Sequence, residues 1–308
     1  MKFVTFLKDT PAARLGALDS EGDVVDLATA ATEARLDVLD DMLSLIDGGE
    51  PALDVARRAL EAAARSKQSA GARVPVHYRR DEVKLLAPLP RPRTFRDFWI
   101  FEEHVKTGWR LRGEELPDVW YQLPTYYKGN PMSIIGPEED LTWPSFTEKL
   151  DFELEMGVII GKKGRDISED HADDHIFGYT VLNDWSARDI QRKEMQCRLG
   201  PAKGKDFATS LGPCIVTPDE VDPYNLRMTA RINDEVWSDN NSGTGYWKFN
   251  QLIAHVSMGE TIYPGELLGT GTVGGGCGLE LNRWLQPGDV VELEIEKIGL
   301  LRNRVVKG

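Results

Sequence analysis

Glu153 and Glu155 stand two apart in Asp151-Phe152-Glu153-Leu154-Glu155-Met156, and Asp184 follows later in Asn183-Asp184-Trp185-Ser186-Ala187-Arg188-Asp189-Ile190-Gln191. Successive strand residues face opposite sides, so the two glutamates share one face and Leu154 and Met156 take the other. Paired carboxylates on a solvated strand need no further explanation. Here, however, Phe152, Leu154, Met156, Val158, Ile159 and Ile160 surround them and mark a buried strand. Two unpaired buried carboxylates would be costly, and a cation between them removes that cost. Asp184 offers a third carboxylate, and an oxygen-only donor set favours a hard ion such as Mg²⁺, Mn²⁺ or Ca²⁺.

Other side chains could work beside such an ion. Residues 186–191 read as a short helix in which Ser186 caps and Arg188 and Gln191 are neighbours on one face. A helix start there would offer donors to an anion, although Asp184 as a cap and Arg188 as a surface charge is the plainer alternative. Lys205 is flanked by glycine in Gly204-Lys205-Asp206-Phe207, and Gly269 to Gly276 form a Gly/Thr-rich loop after a strand. That loop lacks the GKT or GKS ending of a P-loop but lets backbone approach a ligand closely. His104 sits among Phe98, Trp99, Phe101 and Trp109, where a packing role and a catalytic one are both open. His171 and His175 lack the HExxH pattern and read as part of an exposed acidic turn.

The elements that must position these residues are mostly strands. Strand patterns cover residues 154–160, 176–182, 213–216, 226–232, 266–270 and 290–295, with a helix over 247–258. Upstream, residues 2–7 read as a strand and residues 14–18 and 24–27 as a hairpin around Asp19-Ser20-Glu21-Gly22. Helices are expected over 34–46 and 51–66, then a linker over 67–80 and a proline-punctuated boundary over 85–92. The division is a small N-terminal unit, residues 1–84, and a mostly β unit, residues 85–308.

With 308 residues and 41% hydrophobic content, a sizeable core is expected. The net charge of −13 argues against a general nucleic-acid binder and against attraction to anionic membranes. Cys197, Cys214 and Cys277 form no CxxC pair, which suits a reducing cytoplasm. The apolar start, residues 1–7, is too short for a signal sequence, and no run approaches a membrane span.

Taken in order, Asp97-Phe98 with His104 seven residues after Asp97, Glu153-Leu154-Glu155, residues 183–191, Gly204-Lys205-Asp206-Phe207 and Gly269-Thr270 resemble the fumarylacetoacetate hydrolase superfamily over about residues 85–300. The resemblance implies an α+β, mostly β fold: a mixed β-sandwich roll with a small N-terminal α/β cap domain. It implies Mg²⁺ or Mn²⁺, with Ca²⁺ as an alternative, on Asp97, Glu153, Glu155 and Asp184. It also implies a homodimer and a small organic acid as substrate, with no nucleic-acid or membrane partner.

By the same resemblance, His104 is the general base and Glu280 its orienting acid. Lys205, Arg188 and Gln191 hold developing charge, and Tyr127 and Thr270 contact substrate. The implied reaction is C–C bond hydrolysis of a β-diketo or acylpyruvate-type acid. Decarboxylation, hydration or isomerisation of a 2-oxo acid is the alternative, and metal-dependent binding without catalysis is a different class. Lys128-Gly129-Asn130 after Tyr127 departs from the histidine and arginine that flank this glycine in the hydrolase that names the family. That departure points away from fumarylacetoacetate itself.

Overall fold

The structure, a computed structural model, describes residues 1–67 and 76–308. It is a mixed α/β fold in which many short and medium strands form mixed sheets. Among the described residues the largest sheet has 12 strands and is mostly antiparallel. Leu154–Ile160 lies near its centre, antiparallel to Ile176–Asn183 on one side and to Leu267–Gly269 on the other. Phe95–Phe98 then pairs in parallel with Leu267–Gly269, and Tyr126–Lys128 pairs with Phe95–Phe98. A five-stranded sheet built on Arg227–Ile232, Val290–Ile295 and Gly299–Val306 packs against the large one.

Alternation along Leu154–Ile160 explains why this strand is central. Leu154, Met156, Val158 and Ile160 enter an apolar cluster with Leu293, Ile295 and Leu301 of the smaller sheet. Ile159 points the other way, into a cluster with Leu45, Ile46 and Ala56. Both faces are therefore covered, and the whole strand is buried. Truncating a buried leucine here to alanine would cost about 2–5 kcal/mol.

The N-terminal strands join the same sheet. Lys2–Leu7 pairs with Arg14–Leu18 and with Thr209–Val216. The expected hairpin is present, with Gly16 opposite Asp26. The helix expected over 34–46 is corrected. Asp26 caps an earlier helix, Leu27–Glu33, its carboxylate accepting from Thr29 N at 3.0 Å. The chain leaves that helix through Arg35 at φ 56°, and helical structure resumes only at Met42. The segment Met42–Lys67 bends at Gly49, ahead of Pro51, where the sequence separates two helices. Of the linker expected over 67–80, residues 68–75 lie outside the described residues, and His77–Tyr78 is a strand paired with Val24–Asp26.

His175 is also corrected: it is buried, and its Nδ1 donates to the Lys162 carbonyl at 2.8 Å. No helix among the described residues is long and apolar enough to cross a membrane.

Candidate metal centre and proton-transfer site

Four adjacent strands bring three carboxylates together. Asp97 stands on Phe95–Phe98, directly beside Gly269, and Gly269 is paired in turn with Gly157 of the central strand. Glu155 comes from that central strand, and Asp184 follows the last residue of Ile176–Asn183. Gly269 makes the convergence possible. A Cβ at this position would overlap Asp97 Oδ1 and lie 3.2 Å from Glu155 Oε2. The missing side chain is the space in which the two carboxylates meet.

One oxygen from each of Asp97, Glu155 and Asp184 lies within 4.8 Å of the others. All three residues are buried. Gly271 N donates to Asp97 Oδ1 at 3.1 Å and to Glu155 Oε2 at 3.0 Å, and Thr272 Oγ1 reaches Glu155 Oε1 at 3.4 Å. These donors do not balance the charge. Burial and then the Asp184 charge push Asp97 well above the ordinary carboxylate range. Burial and then Asp97 do the same to Glu155. Asp184 is raised as well, burial outweighing the pull of Lys205. Asp184 Oδ1 is buried with no hydrogen-bond partner among the described residues. An all-oxygen cluster with excess negative charge and an orphaned acceptor fits a hard divalent cation.

Glu153 faces a different partner set. Its Oε1 accepts from Arg188 at 2.8 Å, and its Oε2 is paired with Lys205 Nζ. Lys205 Nζ also contacts Asp184 Oδ2 at 2.5 Å, so this ammonium bridges Glu153 and Asp184. Burial works against the Glu153 charge, yet Arg188, Lys205 and His104 hold its carboxyl below the usual range. The structure thus groups three of the four expected ligands tightly. It sets Glu153 beside them in an ion-paired clamp.

Arg188 and Gln191 do share a helix face, with Arg188 donating to Gln191 Oε1 at 3.1 Å. The expected Ser186 cap is absent. Ser186–Ala187 is instead a short strand paired with Leu150–Asp151, and the helix is Arg188–Gln196. The Ser186 hydroxyl donates to the Asp184 carbonyl at 3.0 Å.

His104 lies on the helix Glu102–Arg110 and Glu280 on the short helix Gly278–Leu281. Their side chains meet, His104 Nδ1 to Glu280 Oε2 at 2.9 Å. His104 Nε2 turns toward the clamp, 4.0 Å from Glu153 Oε1. Against the cost of burial, the hydrogen bond and charge of His104 keep Glu280 below its ordinary value. A carboxylate that fixes one ring nitrogen leaves the other free to exchange a proton.

Tyr127 donates its hydroxyl to Asp184 Oδ2 at 2.6 Å; burial and then the Asp184 charge keep it protonated well above the usual range. Thr270 is buried with its hydroxyl engaged by backbone, accepting from Met156 N at 3.0 Å and donating to the Gly271 carbonyl at 2.9 Å.

Sequence reasoning missed Gly269 as the spacer, Gly271 and Thr272 as donors, and Asp151 and Cys277 as neighbours of the pair. The only signal was the Gly/Thr composition of the loop and the place of Asp151 at the head of the glutamate motif.

Residues 93–306 match the fumarylacetoacetate (FAA) hydrolase C-terminal family. The chain is 37% identical over 270 residues to the Homo sapiens protein named oxaloacetate tautomerase FAHD2A, mitochondrial, covering 86% of this chain and 79% of that one. It is 33% identical over 310 residues to the Xenopus laevis oxaloacetate tautomerase fahd2, mitochondrial, covering 99% and 90%. Among solved structures, it is similar to a fumarylacetoacetate hydrolase from psychrophilic Exiguobacterium antarcticum. The TM-score is 0.78 at 28% identity, over 100% of both chains.

Proposed function

Because the chain belongs to the fumarylacetoacetate hydrolase family, we propose that it is a divalent-metal-dependent enzyme moving a proton on the carbon beside the ketone of a small 2-oxo acid. The substrate class is an oxaloacetate-like acid, and the reaction interconverts its keto and enol forms. The observation that carries this reading is the 37% identity to a protein named oxaloacetate tautomerase; the 2.9 Å pairing of His104 with Glu280, with Nε2 4.0 Å from Glu153, supports the base it needs.

Asp97, Glu155 and Asp184 would hold Mg²⁺ or Mn²⁺, with Ca²⁺ also suited to oxygen donors and Glu153 the adjoining ligand. Bound there, the ion supplies Lewis-acid polarisation of the 2-oxo group and charge for the acid's carboxylate. His104 Nε2 takes the proton from the carbon, and Glu280 balances the resulting imidazolium. Lys205 and Arg188 supply buried positive charge beside the oxygen that gains electron density, and Gln191 fixes Arg188. Tyr127 is a hydroxyl proton donor at the same edge, and Thr270 holds the backbone there. Returning the proton to oxygen gives the enol, and returning it to carbon gives the ketone.

A second reading, hydrolysis of a C–C bond in a β-diketo or acylpyruvate-type acid, uses the same dyad to deprotonate water. It is supported by the likeness to a fumarylacetoacetate hydrolase at 28% identity. Both readings keep the homodimer of the family resemblance, which sedimentation would measure.

The test is an absorbance assay of EDTA-treated protein with Mn²⁺ added back, on enol oxaloacetate and on acylpyruvates. Metal-restored decay of the enol, reduced about 10²–10⁴-fold by His104→Ala, is the expected result. Cleavage of acylpyruvates with no effect on the enol moves the assignment to hydrolysis. Mn²⁺ binding with neither reaction leaves a binding protein.

A further inference from the structure

We infer that Asp151 is a positioning residue that fastens the His104–Glu280 pair to the Arg188–Glu153 clamp. Asp151 is fully buried at the head of the glutamate motif. Its Oδ1 accepts from Gly278 N at 2.8 Å and from Phe152 N at 2.9 Å. Its Oδ2 accepts from Leu279 N at 3.0 Å and from Arg188 Nε at 2.8 Å. One carboxylate thus grips both the short helix that carries Glu280 and the guanidinium that holds Glu153.

Three further contacts make this junction stiff. Leu150–Asp151 pairs with Ser186–Ala187, and Arg188 N donates to the Lys149 carbonyl at 2.9 Å, so the backbones of Asp151 and Arg188 are registered. Glu153 forms an isolated bridge with Cys277, the residue before the short helix. Gly278 has no room for a side chain: a Cβ would lie 2.7 Å from Asp151 Oδ1 and overlap the Arg283 carbonyl.

The four donors also explain why the residue is an acid. An asparagine amide would face a donor wherever its nitrogen pointed, since both oxygens of Asp151 receive N–H groups. A misaimed Glu280 would no longer fix the His104 ring, and small misplacements of a base are costly to rate.

This inference rests on the proton-transfer reading only for its kinetic arm. Asp151→Asn and, from the other side of the contact, Gly278→Ala are compared with the unaltered full chain. Expected for both is a fall in kcat of about tenfold or more, with KM and the Mn²⁺ dissociation constant within about threefold. In a Glu280→Gln background, Asp151→Asn should lower kcat by less than about threefold, because the pair it serves is already disabled.

Equal losses in both backgrounds, or weakened Mn²⁺ binding with unchanged kcat, would overturn the inference. The structural arm is a crystal structure of Asp151→Asn or, should that variant not fold, of Gly278→Ala. Separation of His104 Nδ1 from Glu280 beyond hydrogen-bond reach supports the assignment, and an unchanged 2.9 Å contact sinks it. An inactive unaltered protein would count against the reaction reading alone, since the separation does not depend on turnover.

Discussion

Glu153 and Glu155 are two residues apart, buried, and on one face of the same strand segment, yet they live in opposite electrostatic settings. Glu153 is matched by Arg188 and Lys205, and its carboxyl is held below the ordinary range. Among the described residues Glu155 has Gly271 N and Thr272 Oγ1 as donors, with Asp97 beside it, and its carboxyl is pushed well above. The clamp around Glu153 is satisfied from within the chain. The cradle around Glu155 is satisfied only by adding positive charge. The two halves should therefore respond in opposite ways to mutation and to metal.

The largest expected effect is on the clamp. Arg188→Met removes one cation from between two buried carboxylates, Asp151 and Glu153, and leaves charge without a partner. Such breakage costs about 3–5 kcal/mol, and denaturant unfolding of the metal-free protein would read it. A loss below about 1 kcal/mol would mean that water enters the clamp and that the contrast is false.

Glu155→Gln is the matching change in the cradle, with the opposite sign for stability. It removes a carboxyl whose charge is opposed by burial and then by Asp97, so the metal-free protein should be no less stable than the unaltered chain. Mn²⁺ affinity should fall more than about 100-fold, because a charged carboxylate ligand is replaced by a neutral amide with one oxygen. Calorimetric titration and unfolding of the same samples test both halves. Destabilisation with undiminished metal binding would place the ion elsewhere.

Metal itself sharpens the difference. At 100 times its dissociation constant, Mn²⁺ should raise unfolding stability by about 2.7 kcal/mol. Glu280→Gln should show the same gain, since Glu280 touches His104 and not the cradle. Glu155→Gln should show little or none at the same ion concentration. Equal gains in all three proteins would separate the stabilising ion from this site.

The sequence carried the parts of this contrast that depend on local periodicity. Alternation placed both glutamates on one face, and the flanking apolar residues marked the strand as buried. It could not divide Glu153 from Glu155, because that division depends on where Arg188 and Lys205 reach after three strands have paired. Gly269 was equally hidden. Its role comes from lying between Asp97 and Glu155 in the sheet, through pairings that join residues more than 100 positions apart. Asp97 itself came from family resemblance and not from spacing. The helix start at Leu27 was missed because residues 24–27 read as one strand, whereas Asp26 both ends the strand and caps the helix. His104 and Glu280 are 176 residues apart, and no local pattern announces their contact.

The smallest expected effect tests how the cradle is shared among its donors. Thr272→Val keeps the shape of a buried side chain and deletes a hydroxyl 3.4 Å from Glu155 Oε1. That contact is long, and Gly271 N still holds the other oxygen of Glu155 at 3.0 Å. Mn²⁺ binding should therefore weaken by less than about tenfold, the scale of one neutral hydrogen bond. Stability without metal should hardly move, since the stronger backbone donor, Gly271 N, still holds Glu155. A hundredfold loss of affinity would show that Thr272 aims Glu155 at the ion. The cradle would then be as tightly ordered by its donors as the clamp is by its cations, and excess charge alone would no longer distinguish the two.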